Sequence, residues 1–275
     1  MTEPLLKSLR VERDPQTRIA EVLLLGPGKG NAMGPDFWRE APGVFEALDG
    51  DEAVGAVIVR GEGKNFSYGL DVMGMGETLM PLLQGGAGDR ARLIDAGRHM
   101  QRAFAAVAAC RKPVVAAIDG WCIGAGLELA CAADVRLATR AAKFSLREVR
   151  LSIVSDLGGL QRLPFIVGEG FARELALTGG DYPADEAQRM GLLNRVLDDE
   201  AALLQAARAL ARQMASNPPL AVAATKRVMN ARIDDSVARG LREALQHNGS
   251  VMQSQDFQEA VAALLEKRAP VFGGN

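Results

Sequence analysis

The chain has 275 residues, of which 48% are hydrophobic and 24% charged, a composition typical of a globular protein with a substantial core. A net charge of −2 gives no broad attraction to nucleic acid or anionic membranes. No apolar run reaches the ~18 residues of a membrane span, and the spacing of the three cysteines fits no zinc site, so we expect reduced, buried thiols.

Hydrophobic periodicity predicts an α/β protein with a helical second half. In chain order, the pattern predicts strands over 19–25, 56–60, 114–118 and 134–138 and helices over 37–48 and 90–111. Further on, helical spacing recurs over 200–216, 219–230, 235–246 and 256–268. The adjacent prolines Pro218 and Pro219 separate the first two of these helices.

Two glycine turns follow two of the predicted strands. Gly124-Ala125-Gly126 stands between the strand over 114–118 and an apolar helix, and Gly69-Leu70 follows the strand over 56–60. Free N–H groups at a helix N-terminus favour negative charge, although glycines chosen only for a tight turn would give the same pattern. Because both turns end strands, we expect them to meet at one end of a sheet, where two N–H groups could hold an oxyanion.

Three carboxylates follow the turn at Gly124, and each could have a structural role instead of a catalytic one. Glu128 could complement a helix dipole, Glu148 could form a surface ion pair with Arg147 or Arg150, and Asp156 could cap the next helix. The apolar neighbours of Glu128 predict burial, which favours its protonated form. Three such groups beside one anion-binding turn favour an active site over three separate structural roles.

The chain resembles the crotonase (enoyl-CoA hydratase/isomerase) superfamily over nearly its whole length. The matching motifs, in the family's order, are Asn31-Ala32-Met33, Ser67 to Asp71, Lys112 to Gly120, Gly124 to Leu129, Gly158 to Pro164, Leu177-Thr178-Gly179, Ala187 to Gly191 and Glu266-Lys267-Arg268. The resemblance implies a β/α spiral core over 1–200 and a C-terminal helical trimerisation region over 201–275. It also implies a homotrimer or a dimer of trimers.

Within this family the chain is most similar to the Δ3,5-Δ2,4-dienoyl-CoA isomerase branch. The similar segments are Phe37 to Glu40, Gly69 to Met75, Glu148 to Asp156 and Met252 to Asp256. Hydratases usually have glycine at the position of Asp156. The resemblance implies that the N–H groups of Leu70 and Ala125 hold the thioester oxygen, that Glu148 takes the C2 proton and that Asp156 delivers a proton at the remote end of the diene. No metal or redox cofactor is implied, since coenzyme A is part of the substrate.

Two departures from the isomerase pattern keep other functions open. Glu128 stands where these isomerases usually have aspartate and hydratases have glutamate, and Ala125 replaces the middle glycine of the turn. Hydration of a trans-2-enoyl-CoA is therefore the main alternative. A non-catalytic acyl-CoA-binding or scaffold protein is a further alternative, against which the intact carboxylates argue.

The resemblance also suggests residues that contact coenzyme A and the acyl chain. The candidates for CoA contacts are Lys29, Ser67, Gly69 and Asp71 and, near the CoA of a neighbouring subunit, Lys267, Arg268 and Phe272. The acyl tunnel is expected to be lined by 73–84 and 93–104, and the glycine-rich stretch 78–88 is expected to be mobile. With no secretory signal or peroxisomal address visible, a cytoplasmic location is expected.

Overall fold

The computed structural model describes residues 6–83 and 85–275, and for Lys29 the backbone alone. Its strands are β1 (Leu9–Asp14), β2 (Ile19–Leu24), β3 (Ala56–Gly61), β4 (Val114–Ile118), β5 (Trp121–Ile123), β6 (Val135–Thr139), β7 (Lys143–Ser145), β8 (Tyr182–Pro183) and β9 (Arg195–Leu197). Its helices are α1 (Pro35–Gly50), α2 (Val72–Leu83), α3 (Ala87–Ala109), α4 (Ala125–Ala132), α5 (Gly159–Val167), α6 (Glu169–Thr178), α7 (Ala184–Arg189), α8 (Glu200–Ala215), α9 (Pro219–Ala231), α10 (Asp234–Val251) and α11 (Gln255–Glu266).

Two sheets carry the α/β part of the fold. The larger sheet has the strand order β1-β2-β3-β4-β6-β9, in which β1 pairs antiparallel with β2 and all other neighbours are parallel. The smaller sheet has the order β5-β7-β8. Because β5 follows β4 after a two-residue turn, the smaller sheet begins where the larger one ends, and this junction holds the glycine turn at Gly124.

The central strands are buried on both faces, which explains their continuous apolar sequences. Ile58 and Val115 face α8, whose small residues at helical spacing let it pack close to the sheet: Ala207, Ala211 and Ala215. The alternate residues of the same strands face α1 and α3, where Trp38 and Phe104 pack with ring centroids 5.6 Å apart. Since α8 covers the sheet, the helical region after 200 shares the core, and a domain boundary at 200/201 stays a prediction.

The predicted long elements are confirmed within a few residues. The stretch 78–88, for which no element was predicted, is largely helical: residues 78–83 belong to α2 and α3 begins at Ala87, while Gln84 lies outside the described residues. Met75, Leu79 and Leu83 recur at helical spacing and are buried, and their burial outweighs the cost of nearby glycines. The expected mobility of this stretch stays a prediction. Within the described ranges, no helix is both long and apolar enough to cross a membrane.

Candidate active site

The two glycine turns lie against each other, as predicted. Ser67 and Cys122 form a parallel bridge, which joins the loop after β3 to β5. At Gly69, φ is +84°, and a Cβ atom there would lie 2.6 Å from the carbonyl oxygen of Ile123 and 3.0 Å from the nitrogen of Ala125. Glycine is therefore required both by the backbone conformation and by the closeness of the second turn.

We expect Gly69→Ala to lower kcat at least tenfold and to destabilise the fold by about 1–3 kcal/mol, the usual cost of a strained backbone position. The added methyl group would push the two turns apart and move the Leu70 N–H away from that of Ala125. Gly63→Ala is a matched control, because Gly63 also has a positive φ of 74° but has no neighbour within 4 Å of an added Cβ. Steady-state kinetics and thermal unfolding of both variants measure the difference; equal losses would contradict this role of Gly69.

The N–H groups of Leu70 and Ala125 are available at the junction of the turns. Ala125 is the first residue of α4, where N–H groups have no partner inside the helix. Leu70 follows Gly69, whose own N–H is taken by the Ser67 hydroxyl at 3.0 Å. Both residues line the same cavity, so the predicted oxyanion hole is sterically possible.

Glu128 is buried next to this junction and caps α5. Its side chain is 1% exposed, and its Oε2 accepts the N–H groups of Leu157 at 3.0 Å and Gly159 at 2.6 Å. The capping role considered for Asp156 therefore belongs to Glu128. Burial, together with the nearby charge of Glu148, holds the pKa of Glu128 well above its usual value.

Glu148 lies beside the turn at Gly124 and lines the same cavity as Ala125. A Cβ atom at Gly124 would lie 2.8 Å from Oε1 of Glu148, and Oε2 is buried without a hydrogen-bond partner among the described residues. Arg147, considered as an ion-pair partner, instead forms three hydrogen bonds with Asp181, at 2.7, 2.8 and 3.1 Å. Burial raises the pKa of Glu148 to about 7, with a smaller contribution from the charge of Asp156.

Asp156 is the third carboxylate of the site. It follows the 3₁₀ turn Glu148–Leu151 and a short segment outside the helices and strands, and its Oδ2 accepts a hydrogen bond of 2.8 Å from Nδ2 of Asn248 on α10. Burial raises the pKa of Asp156 to about 6, and the hydrogen bond from Asn248 opposes this shift. Asp156 and Glu148 thus both titrate near neutrality, as acid–base catalysts should.

A single cavity of about 910 Å³ brings these groups together. All three carboxylates line it, as do Leu70 and Ala125. Most of its remaining wall is apolar and includes Met73, Leu79, Leu93, Ile94, Met100, Leu245, Met252, Ala260 and Phe272. The predicted segments 73–84 and 93–104 thus supply part of the wall. Other parts of the wall come from β5, the segment 147–157, α10, α11 and the segment after α11, and sequence reasoning did not assign the last three to the tunnel.

The candidate CoA contacts have different positions in the structure. Asp71 lines the cavity and accepts the N–H of Gly74 at 2.9 Å, whereas Ser67 and Gly69 are not among the lining residues. The Ser67 hydroxyl instead donates to the carbonyl of Asn31 at 2.8 Å and shapes the turn. The side chain of Lys29 lies outside the described residues.

The C-terminal candidates lie at the end of α11 and after it. Arg268 and Phe272 line the cavity of their own chain, and their contact with a neighbouring subunit's CoA stays a prediction. Lys267 is exposed and is not among the lining residues. It ends α11 in the left-handed conformation, with φ of 56°, so its backbone serves the turn that directs Arg268 to the cavity.

Two polar residues near Asp156 had no signal in the sequence. Asn248 and Gln101 lie on α10 and α3, far from Asp156 along the chain, and only the packing of these helices brings them to it. Within the described residues, no cluster of histidine, cysteine and acidic side chains could hold a metal ion.

Comparison with known proteins identifies the family. The family model for enoyl-CoA hydratase/isomerase matches residues 14–275. The mitochondrial Δ3,5-Δ2,4-dienoyl-CoA isomerase of Dictyostelium discoideum is 39% identical, covering 98% of this chain and 92% of that protein. The peroxisomal enzyme of that name from Arabidopsis thaliana is 37% identical and covers 99% of both. The crystal structure of an enoyl-CoA hydratase/isomerase from Pseudoalteromonas atlantica superposes with a TM-score of 0.84 at 26% identity, covering 97% of this chain and 100% of that one.

The chain therefore belongs to the enoyl-CoA hydratase/isomerase family, the crotonases, and it is an enzyme with an acyl-CoA thioester substrate. The comparisons also correct one expectation. The relatives from D. discoideum and A. thaliana are mitochondrial and peroxisomal by name, so the expected cytoplasmic location is wrong. That expectation relied on missing address signals, and the absence of a signal in a sequence is weak grounds for a location.

Proposed function

We propose that the enzyme converts 3,5-dienoyl-CoA thioesters into 2,4-dienoyl-CoA thioesters. The observation that carries this proposal is the pair Glu148 and Asp156, two titratable carboxylates on the wall of one largely apolar cavity. Moving a conjugated diene requires proton removal at C2 and proton addition four carbons away. Two separate acid–base groups in an apolar tunnel suit that task, and the names of the relatives agree with it.

In the proposed mechanism, the thioester oxygen lies between the N–H groups of Leu70 and Ala125. Glu148, beside the turn at Gly124, takes the C2 proton, and the electron pair moves into the conjugated system as the oxygen becomes an enolate. Asp156 then gives a proton to C6, and the double bonds settle at positions 2 and 4. One proton enters and one leaves, so the reaction is redox-neutral.

The proposal extends to cofactors and to the oligomeric state. Coenzyme A takes part as the carrier of the acyl group, and we propose no metal or redox cofactor. We also propose, from the family resemblance, a homotrimer or a dimer of trimers, with no nucleic-acid or membrane partner. Three apolar side chains on α9 are exposed to water: Leu220, Val228 and Met229. They support an assembly, because contact with another subunit would remove their apolar surface from water.

Hydration of a 2-enoyl-CoA is the second candidate function. Glu128 and Glu148 both line the cavity, and two glutamates could hold and split a water molecule between them. Glu128, however, has one carboxylate oxygen committed to two backbone N–H groups. That commitment restricts its orientation and favours a supporting role over proton transfer.

A spectrophotometric assay with a 3,5-dienoyl-CoA and a 2-enoyl-CoA of equal length distinguishes the two functions. We expect rapid growth of the conjugated 2,4-dienoyl absorbance and slow hydration. Asp156→Asn should lower isomerisation by about 10²–10⁴-fold, the usual contribution of a general acid. Any hydration should survive Asp156→Asn but fail in Glu128→Gln. Rapid hydration without isomerisation would reject the proposal, and binding without turnover of either thioester would favour a scaffold.

A further inference from the structure

Asn248 forms an unusually complete set of hydrogen bonds with the segment that carries Asp156. It lies on α10, is 2% exposed and uses its amide in three bonds of 2.8 Å. Its Oδ1 accepts the N–H of Val154, and its Nδ2 donates to the carbonyl of Val154 and to Oδ2 of Asp156. The side chain thus pairs with Val154 as a neighbouring strand would and reaches the carboxylate as well.

These bonds fix the orientation of the Asn248 amide. A flipped amide would place its oxygen against the carbonyl of Val154 and the carboxylate of Asp156, and its NH₂ against an N–H donor. Only one arrangement satisfies all three partners, so the NH₂ group must face Asp156. The backbone of Val154 therefore determines that Asn248 presents a hydrogen-bond donor to Asp156.

A second polar side chain holds the backbone of Asp156. Nε2 of Gln101, on α3, donates to the carbonyl of Asp156 at 2.7 Å and to that of Leu241 at 3.2 Å. Gln101 thus links α3, α10 and the catalytic segment, but it does not reach the carboxylate. Within residues 6–83 and 85–275, Asn248 is the side chain that hydrogen-bonds the Asp156 carboxylate.

The need for such support follows from the local sequence. Between Glu148 and Asp156 the chain passes through Ser152 in the left-handed conformation, with φ of 52°, and residues 153–156 then belong to no helix and to neither sheet. Such a segment lacks the regular hydrogen bonds that would hold its side chains in place. A proton donor must be held within hydrogen-bond reach of one carbon of the substrate, so its carboxylate needs an anchor.

We propose that Asn248 is the positioning residue for Asp156, orienting its carboxylate so that the second oxygen faces the remote end of the bound dienolate. This inference rests on the proposed isomerase function. Asn248 does not touch the reacting atoms and acts only through Asp156. It also makes α10, outside the region that carries the family's catalytic motifs, a part of the catalytic apparatus.

The proposal predicts a specific effect on pH dependence as well as on rate. The titratable groups that interact with Asp156 are the carboxylates of Glu128 and Glu148. The amide of Asn248 donates to the charged form of Asp156 and so opposes the rise in pKa caused by burial. Loss of this donor should raise the pKa of Asp156 above about 6. Because Asp156 acts as a proton donor, the alkaline limb of the kcat/KM profile, where the protonated form is lost, should move to higher pH.

The experiment is a double-mutant cycle between Asn248→Ala and Asp156→Asn, assayed with a 3,5-dienoyl-CoA. Alone, Asn248→Ala should lower kcat about 10–100-fold, the usual effect of losing a residue that orients a catalytic group, with KM changed less than about threefold. In the Asp156→Asn background it should cause no further loss, because its target is already gone. Should Asn248→Ala fail to fold, Asn248→Asp keeps the size and the acceptor for Val154 but replaces the NH₂ donor with a second carboxylate oxygen, which should raise the pKa of Asp156 further.

Asn230→Ala is the control for structural damage. Nδ2 of Asn230 donates to the carbonyl of Ala108 at 3.0 Å and joins α9 to α3 away from the cavity, so its loss should affect the melting temperature but not kcat or the pH profile. A twofold or smaller effect of Asn248→Ala on kcat, an unmoved alkaline limb, or an equal loss in the Asp156→Asn background would each overturn the proposal. A wild-type enzyme inactive on 3,5-dienoyl-CoA would instead reject the proposed function.

Discussion

Glu148→Gln is expected to lower the isomerisation kcat by about 10³-fold or more, within the range that a general base contributes. Glutamine has nearly the same shape as glutamate but cannot accept a proton. Oε2 of Glu148 has no partner among the described residues, so the substitution breaks no hydrogen bond to that atom. The loss should therefore appear in kcat, with little change in KM or in the fold.

The same substitution should make the protein more stable at alkaline pH. Burial raises the pKa of Glu148 in the folded state to about 7, above its ordinary value of 4.5, so the folded state binds this proton more tightly than the unfolded state does. The stability linked to this group is fully present below pH 4.5 and is lost as the pH rises through about 7. Glutamine does not titrate, so its advantage over the wild type should be present at pH 8 and absent at pH 4.

Thermal unfolding and kinetics at several pH values test both parts of this expectation. Glu46→Gln, at an exposed position on α1, is the matched control and should change neither property. If Glu148→Gln kept more than a tenth of the wild-type kcat, Glu148 would not be the base. If it were less stable than the wild type at pH 8, the raised pKa would be in doubt.

The parts of the site that the sequence predicts are those encoded within one short segment. β4, the turn at Gly124 and the apolar start of α4 follow one another along the chain, so local patterns locate Ala125 and predict the burial of Glu128. The glycine at position 69 could be interpreted in the same way, because it follows a buried strand. The geometry of both turns can therefore be predicted from residues that are adjacent along the chain.

The parts that could not be predicted depend on contacts between distant segments. Asn248 is an ordinary polar residue of an amphipathic helix until α10 packs on the segment before Asp156. The cavity wall formed by Phe272 likewise depends on the path of the chain after α11. That path is fixed by Asp256, whose carboxylate accepts the N–H groups of Gly273 and Gly274 at 2.7 and 2.9 Å. Such pairings leave no periodic pattern in a single sequence.

Arg136 on β6 is a further residue whose role only the packing discloses. Its side chain is 7% exposed, and its guanidinium donates to three backbone carbonyls: Leu192 at 2.9 Å, Ala133 at 2.8 Å and Ala130 at 3.3 Å. Two of these carbonyls belong to the C-terminal end of α4, where a positive charge complements the helix dipole. Arg136 thus provides donors for the carbonyls at the C-terminal end of α4. The N-terminal end of the same helix presents the Ala125 N–H.

Arg136→Met is expected to lower the free energy of unfolding by about 3–5 kcal/mol. The carbonyls of Leu192 and Ala133 lose the guanidinium donor, and that of Ala130 keeps only the N–H of Ala133 at 3.3 Å, at a cost of about 1–3 kcal/mol each that relaxation partly recovers. Methionine fills much of the same volume, so the loss reports the hydrogen bonds more than a cavity. Arg195→Met is the matched control: Arg195 lies exposed on the neighbouring strand β9, where substitution should cost less than about 0.5 kcal/mol. Urea unfolding of both variants measures the difference. A loss below about 1 kcal/mol for Arg136→Met would mean that water or backbone movement replaces the guanidinium, and that α4 does not depend on it.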